Sequence, residues 1–142
     1  MAKMVLTDAY VLINSVNLSA WVKQVTLDLP ADAVDVTTMG ATQKVNLPGL
    51  KDFSCQITFL QDFAAGGPHA TLAPLAAATG TGALFPIEIR PTSAARSVTN
   101  PAYTNAAVFI DDYAPVSGGS VGAEATATVS VKQAQNWARQ TA

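Results

Sequence analysis

The stretch Phe53-Ser54-Cys55-Gln56-Ile57-Thr58-Phe59 decides the fold class. Its apolar residues, Phe53, Cys55, Ile57 and Phe59, fall on every second position, and Ser54, Gln56 and Thr58 fill the places between them. Successive side chains of an extended chain point to opposite faces, so this repeat describes a strand with one face in a core and one in water. The pattern recurs on both sides. Val25, Leu27 and Leu29 alternate with Gln24, Thr26 and Asp28, and Ile87 and Ile89 flank Glu88 between Pro86 and Pro91. Ala106 to Ile110 is a further candidate, and Tyr10 to Ile13 reads as a more fully buried strand. The longest repeat comes last: Ala123, Ala125, Ala127, Val129 and Val131 alternate with Glu124, Thr126, Thr128, Ser130 and Lys132. These elements predict one mainly β domain over residues 1–142, built as a β-sandwich or barrel.

One short helix interrupts the strands. After Gly66-Gly67-Pro68, the alanine- and leucine-rich segment 69–78 stops before Gly80, with Pro74 expected to kink or split it. Leu72, Leu75 and Ala76 would form its packing face. Two segments read as irregular. Residues 30–48 form a long loop that retains Val34, Val36 and Met39, apolar side chains that a loop in water would not keep. Loops of this length are uncommon unless functional or ordered by a partner. Residues 91–101 are rich in Ser, Thr, Ala and Asn, with Arg90 and Arg96 as the nearby cations. Gly118-Gly119 and Gly122 read as a hairpin connection, and 133–142 as a polar tail with helical tendency around Trp137.

Composition narrows the function. The 142 residues include 8 Lys plus Arg and 10 Asp plus Glu, giving a net charge of −2 and no basic footprint for sequence-specific nucleic-acid binding. Charged residues make up only 13%, against roughly 25% in typical soluble domains, so little repulsion opposes self-association. One cysteine excludes an internal disulfide, and with a single histidine it makes no zinc site. No apolar run approaches the ~20 residues of a membrane-spanning helix. Asp8 and Asn14 interrupt any secretion-signal core, which predicts folding in the cytoplasm.

The chain nominates no catalytic machinery, no cofactor and no metal ligands. His69 begins the helix without a nucleophile or carboxylate pair beside it. Cys55 lies on an apolar strand face, where cysteine acts as a small hydrophobe. Asp111-Asp112 read as a strand end, with neighbours pointing to opposite faces. SGGSVG lacks the following helix and lysine of a phosphate loop. An enzyme is not expected.

The block Val34 to Phe63, VDVTTMGATQKVNLPGLKDFSCQITFLQDF, resembles the tail tube (major tail) proteins of long-tailed bacteriophages. The resemblance rests on Asp35 to Gly40, Pro48 to Asp52, the strand Phe53 to Leu60, and Gln61 to Phe63, in that order. It implies a β-sandwich or barrel with one short helix, a long stacking loop, and flexible N- and C-terminal segments. It also implies hexameric rings that stack into the conduit for DNA ejection in the virion tail. On this reading Val34, Asp35, Val36, Thr37, Thr38, Met39 and Lys44 belong to the ring-stacking loop. Gln56, Thr58, Glu124, Thr126, Thr128 and Ser130 are the candidates for the channel wall. Expected partners are further copies of the chain, a tape-measure protein, a tail terminator and distal tail proteins, with DNA passing non-specifically. Assembly would take place in the host cytoplasm. Two other readings share the sequence: a tube protein of a contractile or type VI secretion-like injection machine, and a β-sandwich capsid-decoration or adhesin module. The last should cluster aromatics for ligand stacking, whereas Trp21 and Trp137 lie far apart.

Overall fold

The computed structural model describes residues 9–117, 121–122 and 124–141. Asp8, the Gly118-Gly119 turn and the expected strand start at Ala123 lie outside them.

Among the described residues ten strands and one α-helix follow one another. Strand β1 (Tyr10–Ile13) turns into β2 (Val16–Asn17) through Asn14 and Ser15, both at positive φ (49° and 66°). A two-residue turn with both residues left-handed matches the twist of paired strands. Strand β3 (Val22–Asp28) is followed by β4 (Ala31–Asp35), β5 (Asn46–Lys51) and β6 (Ser54–Leu60). Helix α1 (Pro68–Ala77) precedes β7 (Phe85–Arg90), β8 (Ala102–Ser117), β9 (Thr126–Gln133) and β10 (Trp137–Gln140).

Eight strands form one antiparallel sheet in the order β2-β1-β7-β8-β9-β6-β3, with β10 also on β8. Strands β9 and β10 lie end to end along β8, facing Val108–Ser117 and Ala102–Asn105 respectively. Across the gap, the amides of Ala134 and Gln135 both donate to the Ala107 carbonyl, at 2.9 and 3.2 Å. Val11 and Ile13 of β1 share one core with Cys55, Ile57 and Phe59 of β6. Those strands are four places apart in the sheet, about 19 Å if it were flat. The sheet therefore rolls onto itself and stays open, its outer strands β2 and β3 unpaired to each other among the described residues.

The alternation read in the sequence maps onto this core. Phe53, Ile57, Phe59 and Val129 are fully buried, with Cys55 and Val131 nearly so. Gly67 opens α1, where a Cβ would come within 2.7 Å of the Asp62 carbonyl, and Pro68 occupies its first turn. Pro74 sits inside one continuous helix rather than splitting it. Leu72 is fully buried and Leu75 packs on the core, but Ala76, expected on the packing face, is exposed.

Four segments differ from the sequence reading. Residues 30–48 are not an irregular loop: β4 pairs with β5 in a separate two-stranded sheet that leaves the main sheet between β3 and β6. Pro48 and Gly49, which look like strand breakers, lie inside β5. Strand β8 does not stop at Asp111-Asp112. It continues to Ser117 because a bulge between Ile110 and Asp112 absorbs one extra residue against β9. The final alternating strand begins at Thr126, later than expected. The C-terminal tail is not helical, since residues 137–140 form β10.

Candidate assembly surfaces

Two surfaces bear the candidate residues. The first is the outer face of β3, β6 and β9. Gln24 lies opposite Thr58, Thr58 opposite Thr128, and Thr128 opposite Ala114. The next rung runs Thr26–Gln56–Ser130–Asp112. Residues that alternate with core residues all emerge on the far side of the sheet, so these rungs form one continuous polar wall. Gln24, Thr26, Gln56 and Thr58 frame a shallow groove in it. At one end the rung Asp28–Ser54–Lys132–Phe109 adds charge, and at the other Leu60, Thr126 and Ser117 close the wall.

Five of the six channel-wall candidates, Gln56, Thr58, Thr126, Thr128 and Ser130, are thus brought onto one face. Glu124 is not in the strand. It precedes β9 and forms an ion pair with Lys23, the extra residue at a bulge in β3. The sequence did not nominate Gln24, Thr26 or Asp112 for this wall. The alternation of Gln24 and Thr26 was readable, but their juxtaposition with Asp112 depends on strand pairings that span 18 to 74 residues.

The second surface is the β4–β5 hairpin. Val34 faces Leu47, and the same register carries on to Val36 opposite Val45, whose carbonyl accepts the Val36 amide at 2.9 Å. Two-residue spacing on both strands puts all four side chains on one face. They remain exposed at 38–56%. Ala33, Asp35, Asn46 and Pro48 take the other face. Gly49 permits close approach beneath Val34: a Cβ there would sit 2.9 Å from Val34 Cγ2.

Near the tip, the Thr37 hydroxyl accepts the Val45 amide at 2.8 Å, and the Thr37 amide donates to Asp35 Oδ1 at 2.9 Å. Bonding from the Thr37 side chain and then its backbone holds the Asp35 carboxyl below its ordinary value. Thr38 begins the tip turn, Gly40 takes φ +88°, Met39 is fully exposed, and Lys44 lies exposed beside them. At the root, the Asp52 amide donates to the Pro30 carbonyl at 2.9 Å, and Gln133 Nε2 donates to the Lys51 carbonyl at 3.3 Å. All the stacking-loop candidates therefore lie on one exposed arm. Val45, Leu47 and Leu50 were missed, hidden beside Pro48-Gly49 and lacking an alternating run.

The third feature is an ion cluster under residues 91–101. Glu88 is buried, with Arg90 Nε 2.8 Å from one carboxylate oxygen and Arg96 on the other. Arg96 also donates to Gln140 of β10, and the Arg90 guanidinium lies 3.9 Å from the Tyr10 ring centroid. Asn100 folds the segment by donating to the Ala94 and Ala95 carbonyls and accepting the Thr92 amide. Glu88 was read as a water-facing residue of its strand. Its two guanidinium partners cover it instead, and Arg96 comes from a segment with no periodicity to place it.

Chemistry-bearing side chains elsewhere are engaged. His69 Nδ1 lies 2.9 Å from the Tyr113 hydroxyl, with the Phe63 ring 4.8 Å from the imidazole. Cys55 is buried, and desolvation with the negative charge of Asp28 pushes its thiol up to about 12. Among the described residues no group of three or more His, Cys, Asp or Glu is placed to hold a metal ion. No described helix is long and apolar enough to cross a membrane.

The fold recurs in solved structures. The chain is similar to one in the virion of a native gene transfer agent particle, at 12% identity and a TM-score of 0.71, over 97% of this chain and 99% of that one. It is similar to a chain of the sheath–tube complex of an extracellular contractile injection system, PVC, at 11% identity and a TM-score of 0.71, over 99% and 93%. A chain from the tail of an empty gene transfer agent particle, resolved with C6 symmetry, matches at 13% identity and a TM-score of 0.61, over 83% and 81%. At these identities the likeness is one of fold, and the fold is that of the tail tube class. No protein-family model and no curated protein matches the sequence.

Proposed function

We propose that the chain is a structural protomer that assembles into stacked hexameric rings, forming the tube of a phage-type tail through which DNA is ejected. The observation that carries this reading is the hairpin face of Val34, Val36, Val45 and Leu47. An isolated two-stranded ribbon is marginal in water, and apolar faces on small domains mark partner surfaces. A loop folded back onto its own core would have buried these side chains. Every residue of β4 is exposed instead.

Lateral contacts follow from the outer edge of β3, which no described strand pairs and which offers a neighbouring copy seven residues of ladder. Six-fold closure takes its support from the C6 tail with the same fold. The rungs Gln24–Thr58–Thr128 and Thr26–Gln56–Ser130 then line the channel. They carry no Lys or Arg, so nothing on them grips phosphate and DNA slides past. The remaining partners in this reading are a tape-measure protein within the tube, a terminator and distal tail proteins at its ends, and its place is the virion tail. It has a structural rather than catalytic role.

A tube protein of a contractile injection machine is the second reading, favoured by the equal likeness to the PVC sheath–tube chain. An adhesin-like binding module fits less well, because Trp21 and Trp137 both pack against the core instead of forming a ligand platform.

Negative-stain electron microscopy with light scattering over a concentration series tests the proposal. Rings or tubes with a central channel are expected. Removing residues 33–42 should abolish tube growth and leave the monomer folded. A chain that stays monomeric at high concentration would overturn the reading.

A further inference from the structure

We infer that a pocket on the outer face of β1, β7 and β8 binds a carboxylate side chain of an acidic partner polypeptide. It lies apart from both the polar wall and the hairpin. Val11 and Ile13 of β1 turn into the core, as do Ile87 and Ile89 of β7. Their alternates emerge on the far side, where Glu88 stands opposite Leu12 and Thr104. These strands face β6 and β9 across the shared core, so the pocket opens away from the polar wall. In a tube whose channel the wall lines, it would lie on the exterior.

The floor of the pocket is fixed. Asn105 is 2% exposed, its Nδ2 donating to the Gln135 carbonyl at 2.8 Å and its Oδ1 accepting the Ala107 amide at 3.0 Å. Glu88 is 8% exposed, and each carboxylate oxygen is covered by a guanidinium, one from Arg90 and one from Arg96. An incoming group therefore meets donors. The Arg96 guanidinium gives one N–H to Glu88 and one to Gln140, and the rest of its five are free among the described residues. The Gln140 amide nitrogen and the Ser15 hydroxyl, also in the lining, donate to no described residue.

Charge and size select the occupant. All three arginines, Arg90, Arg96 and Arg139, belong to β7, β10 and residues 91–108, where Glu88 is the one acid. The other described residues hold four lysines and eight acids. Arg90 neutralises Glu88, which leaves the charge of Arg96 uncompensated in the pocket. A planar carboxylate matches one guanidinium edge in charge and in two parallel hydrogen bonds. A phosphate dianion would call for a second cation, and Arg139, next to Gln140, points to the opposite face of its strand. The volume of about 260 Å³ falls below the ~300 Å³ at which small-molecule sites begin, and suits one side chain. Leu12, Pro86 and Ala106 offer apolar walls to its methylene groups. The mouth is open to solvent, so a side chain can enter while its backbone stays outside.

Titration calorimetry on the folded chain tests the site, with a peptide of glutamates, glutarate and inorganic phosphate as probes. The peptide should bind wild-type protein, and bind Arg96→Gln roughly tenfold more weakly, in keeping with the loss of a charge-assisted hydrogen bond. Ala106→Phe, at an exposed position of the lining, should fill the pocket without altering a charge and weaken binding as much. Lys132→Gln, on the polar wall, should bind as wild type does. Circular dichroism confirms that each variant is folded; if Arg96→Gln is not, Ala106→Phe decides. Full binding by Ala106→Phe would show attraction by the surface field alone and overturn the pocket. No binding by wild type, or phosphate bound more tightly than the peptide, would overturn it too. Glutarate bound as tightly as the peptide would overturn the polypeptide as occupant. One protomer holds the whole site, so the same outcomes are read whether or not the protein forms tubes.

Discussion

Val34 and Leu47 face each other across the hairpin, each about half exposed, and a Cβ on Gly49 would come within 2.9 Å of Val34 Cγ2. Their cross-strand contact is worth only a few tenths to ~1 kcal/mol within the monomer. Leu47→Ala should therefore shift the monomer melting temperature by no more than about 2 °C, in keeping with the ~0.5 kcal/mol expected of exposed positions. The concentration needed for assembly should rise roughly tenfold, corresponding to ~1.4 kcal/mol per junction. Light scattering beside calorimetry separates the two effects.

The core should respond in the opposite way. Phe59 is fully buried where β6 meets β9, and Phe59→Ala should cost ~3–5 kcal/mol in urea unfolding. Ile57→Val, which removes one methyl group from the same strand face, should cost ~0.5–1.5 kcal/mol. Equal losses from the two substitutions would contradict the packing described here.

Glu88 and Arg96 are unequal partners. Glu88→Ala leaves Arg90 and Arg96 beside an emptied buried site and should cost about 3 kcal/mol, as expected when one member of a buried pair is removed. Arg96→Ala leaves Glu88 paired with Arg90, and the Arg96 side chain is one-third exposed, so about 1 kcal/mol is expected. Limited proteolysis within residues 91–101 should accelerate in the second variant, because the link to Gln140 is lost as well.

Acid should loosen the hairpin before the sheet. Bonds from Thr37 depress the Asp35 carboxyl below 3.8, so its ionised form stabilises the folded tip. That stabilisation is complete above the unfolded value and is lost as pH falls from there through the lower folded value. Exchange of the Val45 amide, held by the Thr37 hydroxyl, should quicken below pH 3.8 relative to the β6 amides. Asp35→Asn should exchange faster at neutral pH and lose this pH dependence.

Cys55 should be inert while the chain is folded. With its thiol at about 12, the thiolate fraction at pH 8 is on the order of 1 in 10,000, and burial blocks the reagent. Labelling by a thiol reagent should track global unfolding and become immediate in denaturant.

What was legible in the sequence follows from what shapes each element. Strands β6 and β9 are buried on one face, so Ile57 and Val129 recur at the period of the pleat and announce themselves. Strand β10 has no such period. Trp137-Ala138-Arg139-Gln140 is extended because it pairs with Ala102–Asn105 and because Trp137 packs near Tyr103, both distant in sequence. Leu47 and Val45 were invisible for the converse reason: the hairpin faces water on both sides in the monomer, so burial imposes no pattern on it. Asp111 and Asp112 suggested an end to β8 because a bulge, unlike a turn, has no sequence signature at this spacing. The polar residues of the wall could be assigned to strands but not to one another, since Gln24, Thr58 and Thr128 meet only through the order of the sheet.

The pairing of Asp28 with Ser54 has a consequence for how such proteins diversify. These residues already face each other as the last rung of an ordinary antiparallel pair, so the intervening arm is grafted onto a junction that a short turn would also close. Its length and side chains are free to drift without disturbing the register of β3 against β6. Under the function proposed above, compatibility between one lineage of protomers and another would be written in the arm. Exchanging that segment between relatives should move the choice of partner and leave the domain untouched.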